Sequence, residues 1–521
     1  MSEGRRRIVR SSALLIGLVG LSQVLGFVRD AVVAAVFGAS AGVDAYLVAQ
    51  GLMNLVLGLV ASALAKALVP PVSRAADAGQ LEEGHRTVRV VLTVAVVVLV
   101  AGSVLMAIGA NLVIAVLAPG FDAATAEQAV QLARIVLVAT VFVAGTNILA
   151  AAAQASGRFF WSGLQGIPFN LAMIAAAALL AAEFGVAALA IGFVVGSALR
   201  FAVQLPAARR IGLKLRPSLR LSDRGFREVV ALAPALLVGS AVTNVNTLVD
   251  RAVGSAQGAG TIASLSYGWR IVTLAEVLLV AAFAATLYPR FSAIGDPARR
   301  AELRGAAGRA LTVVLLVIGP VVGMLTVAAE PIVVVLFGRG NFDAHAIELT
   351  ALAVSVYAVG LPGLAAREVV ARICLAVGDS RTPVLAAVVA MAVNVAGDLT
   401  LGVRYGVAGL AASTSLSLVL GAVLLGVLTA RRHRALGLRP IALDTARLAG
   451  AVAGSALAAW AMLQLLPGNG PTSASGAMVA LIAAGTTCLA VYTGLILLLR
   501  VTAVADLKQA VSDLLRRNNK S

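Results

Sequence analysis

The charged residues that stand as interior candidates within stretches otherwise apolar enough to cross a bilayer are Arg29, Asp30, Asp44, Lys66, Asp250, Arg251, Arg270, Glu276, Arg367, Arg372 and Asp398. A charge near the bilayer centre costs about 2.5–3.5 kcal/mol on insertion scales, so such groups face a bundle interior or a watery cavity. Lys66 and Arg372 sit near span ends, where a long stem carries the charge to the interface. Of the adjacent pairs Arg29–Asp30 and Asp250–Arg251, both members cannot point inward from one helix face. One of each pair is therefore expected to bond a neighbouring helix. Arg270 lies about ten residues into its span, near mid-depth at a rise of about 1.5 Å per residue. Guanidinium groups donate paired hydrogen bonds to phosphate oxygens, so Arg29 and Arg270 are candidate contacts for an anionic head group. The alternative is that each neutralises an aspartate across the bundle.

A second set is made of oxygen ligands. Asn394 and Asp398 are four residues apart and share one helix face. With Asp250 and Thr414 they offer the donors that hard cations prefer, and oxygen sets of this kind couple ions to transport. Spacing alone favours a hydrogen-bonded helix interface. No nucleophile–base pair, Cys/His metal set or phosphate loop is present, and His85, His345 and His433 all lie in loops or at span ends. A transporter is expected, not an enzyme, and no cofactor.

These residues must be positioned by membrane helices. Of 521 residues 60% are hydrophobic and 12% charged, against about 25% charged in a soluble domain. The mean hydropathy is +0.97. A spanning helix needs about 20 mostly apolar residues. Fourteen stretches qualify: 11–37, 43–68, 88–117, 127–152, 160–182, 185–206, 228–254, 261–288, 308–337, 347–376, 382–402, 405–429, 445–466 and 476–499. They are long and continuous, which excludes a barrel of short alternating strands. The 51 glycines suit close helix packing. Cys374 and Cys488 both lie inside apolar stretches, so no disulfide framework is expected.

The net charge of +17 reflects the positive-inside rule rather than nucleic-acid binding, because the basic residues sit in short loops. Arginines cluster before the first span and after the second, sixth, eighth, twelfth and fourteenth. The alternate loops are neutral or acidic, apart from Arg339 and Arg404. Both termini are thus expected in the cytoplasm, with the 467–475 loop outside. The N-terminus mimics a signal peptide but shows no clear cleavage site, so an uncleaved first span is expected. The tail 500–521 reads either as an amphipathic helix on the inner surface or as a solvated end.

The chain repeats itself. Asp30 and Asp250 are 220 residues apart, and Pro70 and Pro289 are 219 apart. PGFDA at 119–123 and GNFDA at 340–344 are 221 apart, as are GVAAL at 185–189 and GVAGL at 406–410. ARRIGL at 208–213 echoes ARRHRALGL at 430–438. The offset covers six spans, an even number, so the halves share one orientation. The expected fold is an all-α polytopic membrane protein with two parallel six-helix repeats. Its parts are a cytoplasmic N-terminus (1–10), an N-lobe (11–206), a basic linker (207–227), a C-lobe (228–429) and two added helices (445–499). Two such lobes would enclose a cavity and rock about it to give alternating access.

LGFVRD (25–30), FGA (37–39), VDAY (43–46), Val69–Pro70, Asp250–Arg251, SYGWR (266–270), GRGNFD (338–343) and GDSRTPV (378–384) together resemble the MurJ/MviN family of lipid II flippases, in the MOP exporter superfamily. The resemblance implies two lobes around a cationic cavity, with a groove toward the last two spans for a lipid tail. It implies a bacterial cytoplasmic-membrane protein that moves an undecaprenyl-pyrophosphate-linked peptidoglycan precursor between leaflets, with membrane lipids and cell-wall synthesis proteins as neighbours. Arg29 and Arg270 match family cavity arginines, and Asp44 matches a family acidic position, so these three are the implied substrate residues. Asp250, Asn394, Asp398 and Thr414 look like the sodium site of some members. The sequence departs from the pattern at Gln23, Val56 and Leu57, where well-known members carry arginine, and at Thr273, where an acidic residue is common. Another lipid-linked oligosaccharide therefore stays open as cargo. A cation or drug antiporter needs a more acidic or aromatic cavity, and a glycosyltransferase needs longer outer loops.

Overall fold

The computed structural model describes residues 3–54, 58–277, 279, 291–466, 473–499 and 501. Val56 and Leu57, Pro289 with most of its surrounding motif, the 467–472 part of the outer loop and the 502–521 tail lie outside the described residues. All regular structure among the described residues is helical. In chain order the helices are α1 Glu3–Phe37, α2 Ala41–Met53, α3 Leu59–Asp77, α4 Leu81–Ile108, α5 Ala110–Leu117, α6 Ala123–Leu137, α7 Ala139–Ala155, α8 Phe160–Leu164, α9 Gly166–Leu179, α10 Ala181–Phe184, α11 Ala187–Arg210 and α12 Arg224–Gly254. They continue as α13 Thr261–Glu276, α14 Arg300–Val327, α15 Ala329–Phe337, α16 Ala344–Ala376, α17 Arg381–Gly397, α18 Val403–His433, α19 Leu438–Gln464 and α20 Ala474–Leu498.

Each of the fourteen apolar stretches carries helix. Among the described residues nine helices are long and apolar enough to cross a membrane on their own, and the pair α6 and α7, bent by 42°, makes a tenth. Part of the difference from fourteen is a matter of breaks. Arg381–His433 passes as one stretch of 53 residues, yet Gly406 (φ 58°, ψ −131°) divides it in two. The eighth stretch runs on into residues outside the described set.

The repeat is visible in the backbone as well as in the letters. Asp122 caps α6 by accepting from Thr125 N at 2.8 Å, and Asp343 caps α16 by accepting from Ala346 N at 2.8 Å. Gly185 before α11 has φ 54° and ψ −138°, nearly the values of Gly406. Capping carboxylates and glycines at the same offset locate equivalent helix starts.

The chain forms two compact units. The first holds Met1–Ala263 with Gly340–Phe342, the second Ser264–Arg339 with Asp343–Ser521. The division falls one helix later than the repeat boundary, because α12 packs on α3. The core of the first unit mixes alanines (Ala45, Ala49, Ala67, Ala129, Ala133), which let backbones approach, with larger side chains such as Leu52, Leu68 and Ile148 between them. Large apolar side chains face outward on α4 and α5, including Leu105, Ile108, Leu112 and Val116. That arrangement suits acyl chains as solvent and leaves close backbone approach as the main cohesive force.

In the second unit α20 docks at a helix break. Pro320 has no N–H, so the Leu316 carbonyl one turn earlier loses its helical donor. The Tyr492 hydroxyl donates to that carbonyl at 2.8 Å. Tyr492→Phe should destabilise the protein by about 1–3 kcal/mol, the cost of a buried acceptor left unpaired. The same change in a Pro320→Ala background, where the introduced alanine supplies the N–H, should cost little. Melting of the four proteins of this cycle checks it, and an undiminished cost in the double variant would rule this pairing out.

The GDSRTPV motif lies between α16 and α17 of this unit. Asp379 accepts from Arg381 N and Thr382 N at 2.9 and 3.0 Å, from the Thr382 hydroxyl, and pairs with His433 Nε2 at 2.6 Å. The Thr382 hydroxyl first, then His433 and the two N–H groups, hold the Asp379 carboxyl well below the usual carboxylate range. A depressed carboxylate pKa stabilises the fold above the unfolded value of about 3.9, and that contribution fades as pH falls through the native value. Melting temperature should therefore drop below about pH 4 in the parent protein, and Asp379→Asn should lower it at pH 7 and flatten that acid limb.

Candidate functional site

In the first unit the charges of α1 are held by their neighbours. Arg29 donates to Asp30 Oδ1 through Nε (3.0 Å) and Nη2 (2.7 Å), and to Asn170 Oδ1 on α9 through Nη1 (3.2 Å). Asn170 is fixed in turn by donating to the Ser22 carbonyl at 3.0 Å. Arg29 thus bonds a neighbouring helix, as expected of one member of the pair, and holds Asp30 as well. Its guanidinium carbon also lies 5.9 Å from the Phe169 ring centroid. The same ring takes a residue the sequence reading missed, Arg200 of α11, at 5.2 Å. Arg200 lies close to the end of an apolar stretch, where hydropathy reads a base as a flank. Arg251 of α12 is half-buried, with its Nη1 against the Cα of Gly51, where a Cβ would collide with it.

Asp44 is held by backbone donors. It is 2% exposed, and its two oxygens accept from Gly260 N and Ala263 N, each at 2.7 Å. Gly260 has φ +82°, and a Cβ there would collide with the Ala39 carbonyl oxygen, so only glycine lets the segment approach. Around this tie two further contacts are related by the repeat offset. Asn341 N donates to the Ala35 carbonyl at 2.8 Å and Asn341 Nδ2 to the Val36 carbonyl at 2.6 Å. Gly120, the counterpart of Asn341 at offset 221, packs on Ala256, the counterpart of Ala35, and its N–H donates to Ser255 Oγ at 3.0 Å. Each repeat's PGFD or GNFD loop thus holds the end of the other repeat's first helix. Gly340 (φ +61°) allows one of these approaches, its missing Cβ clearing the Ala35 carbonyl.

The second unit contains Arg270 and most of the oxygen set. Arg270 follows Tyr267 and Trp269, which pack on Phe337 and Tyr357, so the SYGWR motif anchors α13 and presents the arginine beside the anchor. Thr273 Oγ1 bonds back to the Trp269 and Arg270 carbonyls. Asn394 and Asp398 come together, with Asn394 Nδ2 at 3.2 and 3.3 Å from the carboxylate oxygens and 3.2 Å from Ser413 Oγ. Ser413 also donates to Asp398, and the chain leaves α17 in a π-helical segment, Asp398–Gly402. Ser413 joins the set unforeseen; Thr414 instead donates to the Leu410 carbonyl at 3.1 Å. Asp250 belongs to the first unit, on α12. The buried carboxylate, amide and hydroxyl are oxygen donors of the type a hard monovalent cation takes, once the Asn394 amide turns its oxygen to them. Among the described residues no group of three or more His, Cys, Asp and Glu side chains could hold a metal ion.

Two compact helical units, a backbone pattern repeated along the chain and an arginine fixed inside a membrane-crossing helix define a polytopic helical membrane protein. Residues 33–480 match the family model described as Lipid II flippase MurJ, and the chain belongs to that family. It is 28% identical over 424 residues to the probable lipid II flippase MurJ of Haemophilus influenzae, covering 78% of this chain and 83% of that one. To the lipid II flippase MurJ of Burkholderia cenocepacia it is 28% identical over 432 residues, covering 80% and 83%. A solved lipid II flippase MurJ in an inward closed conformation superposes with a TM-score of 0.79 at 21% identity, over 93% of this chain and 99% of that one. An inward-facing multidrug resistance MATE transporter of the MOP superfamily gives 0.64 at 15% identity, over 81% and 98%. Both superpositions speak to the fold. The protein is a multi-pass transporter of the bacterial cytoplasmic membrane.

Asp44→Ala should leave the Gly260 and Ala263 N–H groups without acceptors, at about 1–3 kcal/mol each. A cysteine placed at Ala263, buried in the parent protein, should then label with a maleimide. Unchanged protection would show that Asp44 does not hold the tie.

Proposed function

We propose that this chain moves lipid II from the inner to the outer leaflet by alternating access, with Arg29 and Arg270 as contacts for its pyrophosphate. The observation that carries the reading is the Arg29 guanidinium, fixed within α1 by Asp30 and Asn170 in a chain that matches the flippase family from residue 33 to 480. A guanidinium already oriented by its neighbours loses little entropy on binding a phosphate. Loop charge supports both termini in the cytoplasm. The Asp44 tie and the crossed loop contacts then lie at the outer ends of the helices, where they act as a gate that must open for release.

The oxygen set around Asp398 supports a coupling role for sodium. Asp398, Asn394 and Ser413 would hold the ion, which would supply a charge whose binding biases the gate. Membrane potential is an alternative drive, worth about 2.3 kcal/mol per charge per 100 mV.

Depleting the protein in a strain lacking other flippases should leave lipid II on the inner leaflet, and unchanged export would refute the reading. Arg29→Ala should slow flipping about 10–100-fold, the loss of one charged hydrogen bond worth about 1.5–3 kcal/mol. Another lipid-linked oligosaccharide transported faster than lipid II in the same vesicles would reassign the cargo. Replacing sodium by potassium at fixed potential should slow transport in the parent protein and leave Asp398→Asn unaffected.

A further inference from the structure

One aromatic ring in the first unit collects two guanidinium groups and only one counter-charge. Arg29 and Arg200 lie 5.9 and 5.2 Å from the Phe169 centroid. Asp30 matches the charge of Arg29 at 2.7 Å. Arg200 of α11 has no ion pair among the described residues, and its buried Nε has no hydrogen-bond partner there. An aromatic face offsets only part of the cost of drawing a cation out of water, so an arginine held in this way calls for an anion.

The surroundings of Arg200 point the same way. Ser197 and Gln204, three residues before and four after, lie on the same face of α11. Both are buried, and Ser197 Oγ and Gln204 Oε1 also lack partners among the described residues. The Gln204 amide nitrogen is spent on the Trp161 carbonyl at 3.0 Å, which fixes the side chain and leaves its oxygen to accept. One helix face thus carries a cation, a hydroxyl and an amide acceptor in a row, each with an unsatisfied buried atom. Native interiors rarely leave such a row without a ligand or water.

We propose that Arg200 and Arg29, gathered on Phe169, form a two-arginine site for the pyrophosphate of a lipid-linked glycan, with Ser197 and Gln204 meeting the polar groups next to it. The inference rests on the flippase reading and deepens it. It also accounts for the neutral residue at Gln23: the second positive charge of this site stands on α11 instead of α1. Two guanidinium groups discriminate a pyrophosphate from a single phosphate, because each can take one phosphoryl group bidentately.

The test uses the full chain in nanodiscs and native mass spectrometry, with lipid II, undecaprenyl monophosphate and phosphatidylglycerol as separate probes. The parent protein should prefer lipid II over the monophosphate. Arg200→Gln should weaken lipid II binding about tenfold or more, the loss of a charged bidentate contact, and erase that preference. Its unliganded melting temperature should be unchanged or raised, since an uncompensated charge is gone. Arg200→Lys, which keeps the charge but not the paired donors, should lose the preference while binding both lipids, and it carries the test if Arg200→Gln does not fold. Parent-like binding by either variant would overturn the proposal. Equal losses for lipid II and phosphatidylglycerol would also overturn it by assigning the site to bulk phospholipid. A parent protein that binds no lipid II would sink the flippase reading instead.

Discussion

The carboxylate of Asp44, with each oxygen on a backbone N–H, is the contact on which the first unit turns. Inside a membrane protein a buried carboxylate has few ways to be satisfied, and backbone donors are among the strongest. Here they come from the start of α13 and the residues before it, so one side chain on α2 fixes where the turn between α12 and α13 sits. Everything at that end follows: Gly260 against Ala39, Asn341 on the end of α1, Gly120 on the end of α12. Such contacts are made almost wholly by backbone, without large apolar area. Their geometry is therefore set by hydrogen-bond direction rather than by apolar packing.

Cohesion elsewhere rests on the same sparing use of small side chains. Alanine is the commonest residue in the core of the first unit, interleaved with buried leucine and valine, and further leucines and valines face out. Lipid offers no hydrophobic drive to bring helices together, so packing and a few hydrogen bonds must do it. The charged groups are arranged accordingly: Arg29 is bound to Asp30 and Asn170, and Asp398 to Asn394 and Ser413.

The repeat was legible in the sequence because its markers are residues with strict backbone duties. A capping aspartate and a glycine at positive φ cannot drift without breaking a helix start, so Asp122 and Asp343, and Gly185 and Gly406, kept their letters. Arg29 and the Asn394–Asp398 pair were legible because a polar group in an apolar run has a cost that hydropathy registers. The role of Asp44 was not, since its partners are N–H groups, which every residue but proline carries. Ser413 was passed over for Thr414 because which of two neighbouring hydroxyls turns inward depends on helix phase beyond the π-helical segment. Arg200 was hidden by its nearness to the end of a span.

The Pro320 break bears on how the last two helices are held. A proline inside a membrane helix leaves one carbonyl without its helical donor, an uncompensated loss unless another group supplies a hydrogen bond. The Tyr492 hydroxyl turns that loss into an attachment point. Around it α19 and α20 pack on α14 and α15, with Ala459, Ala484 and Cys488 closing on Ala328. The helix pair is thus held by small-residue packing as well as by the tyrosine, which leaves its outward faces, Leu457, Trp460, Val479 and Ile482 among them, to the surrounding lipid.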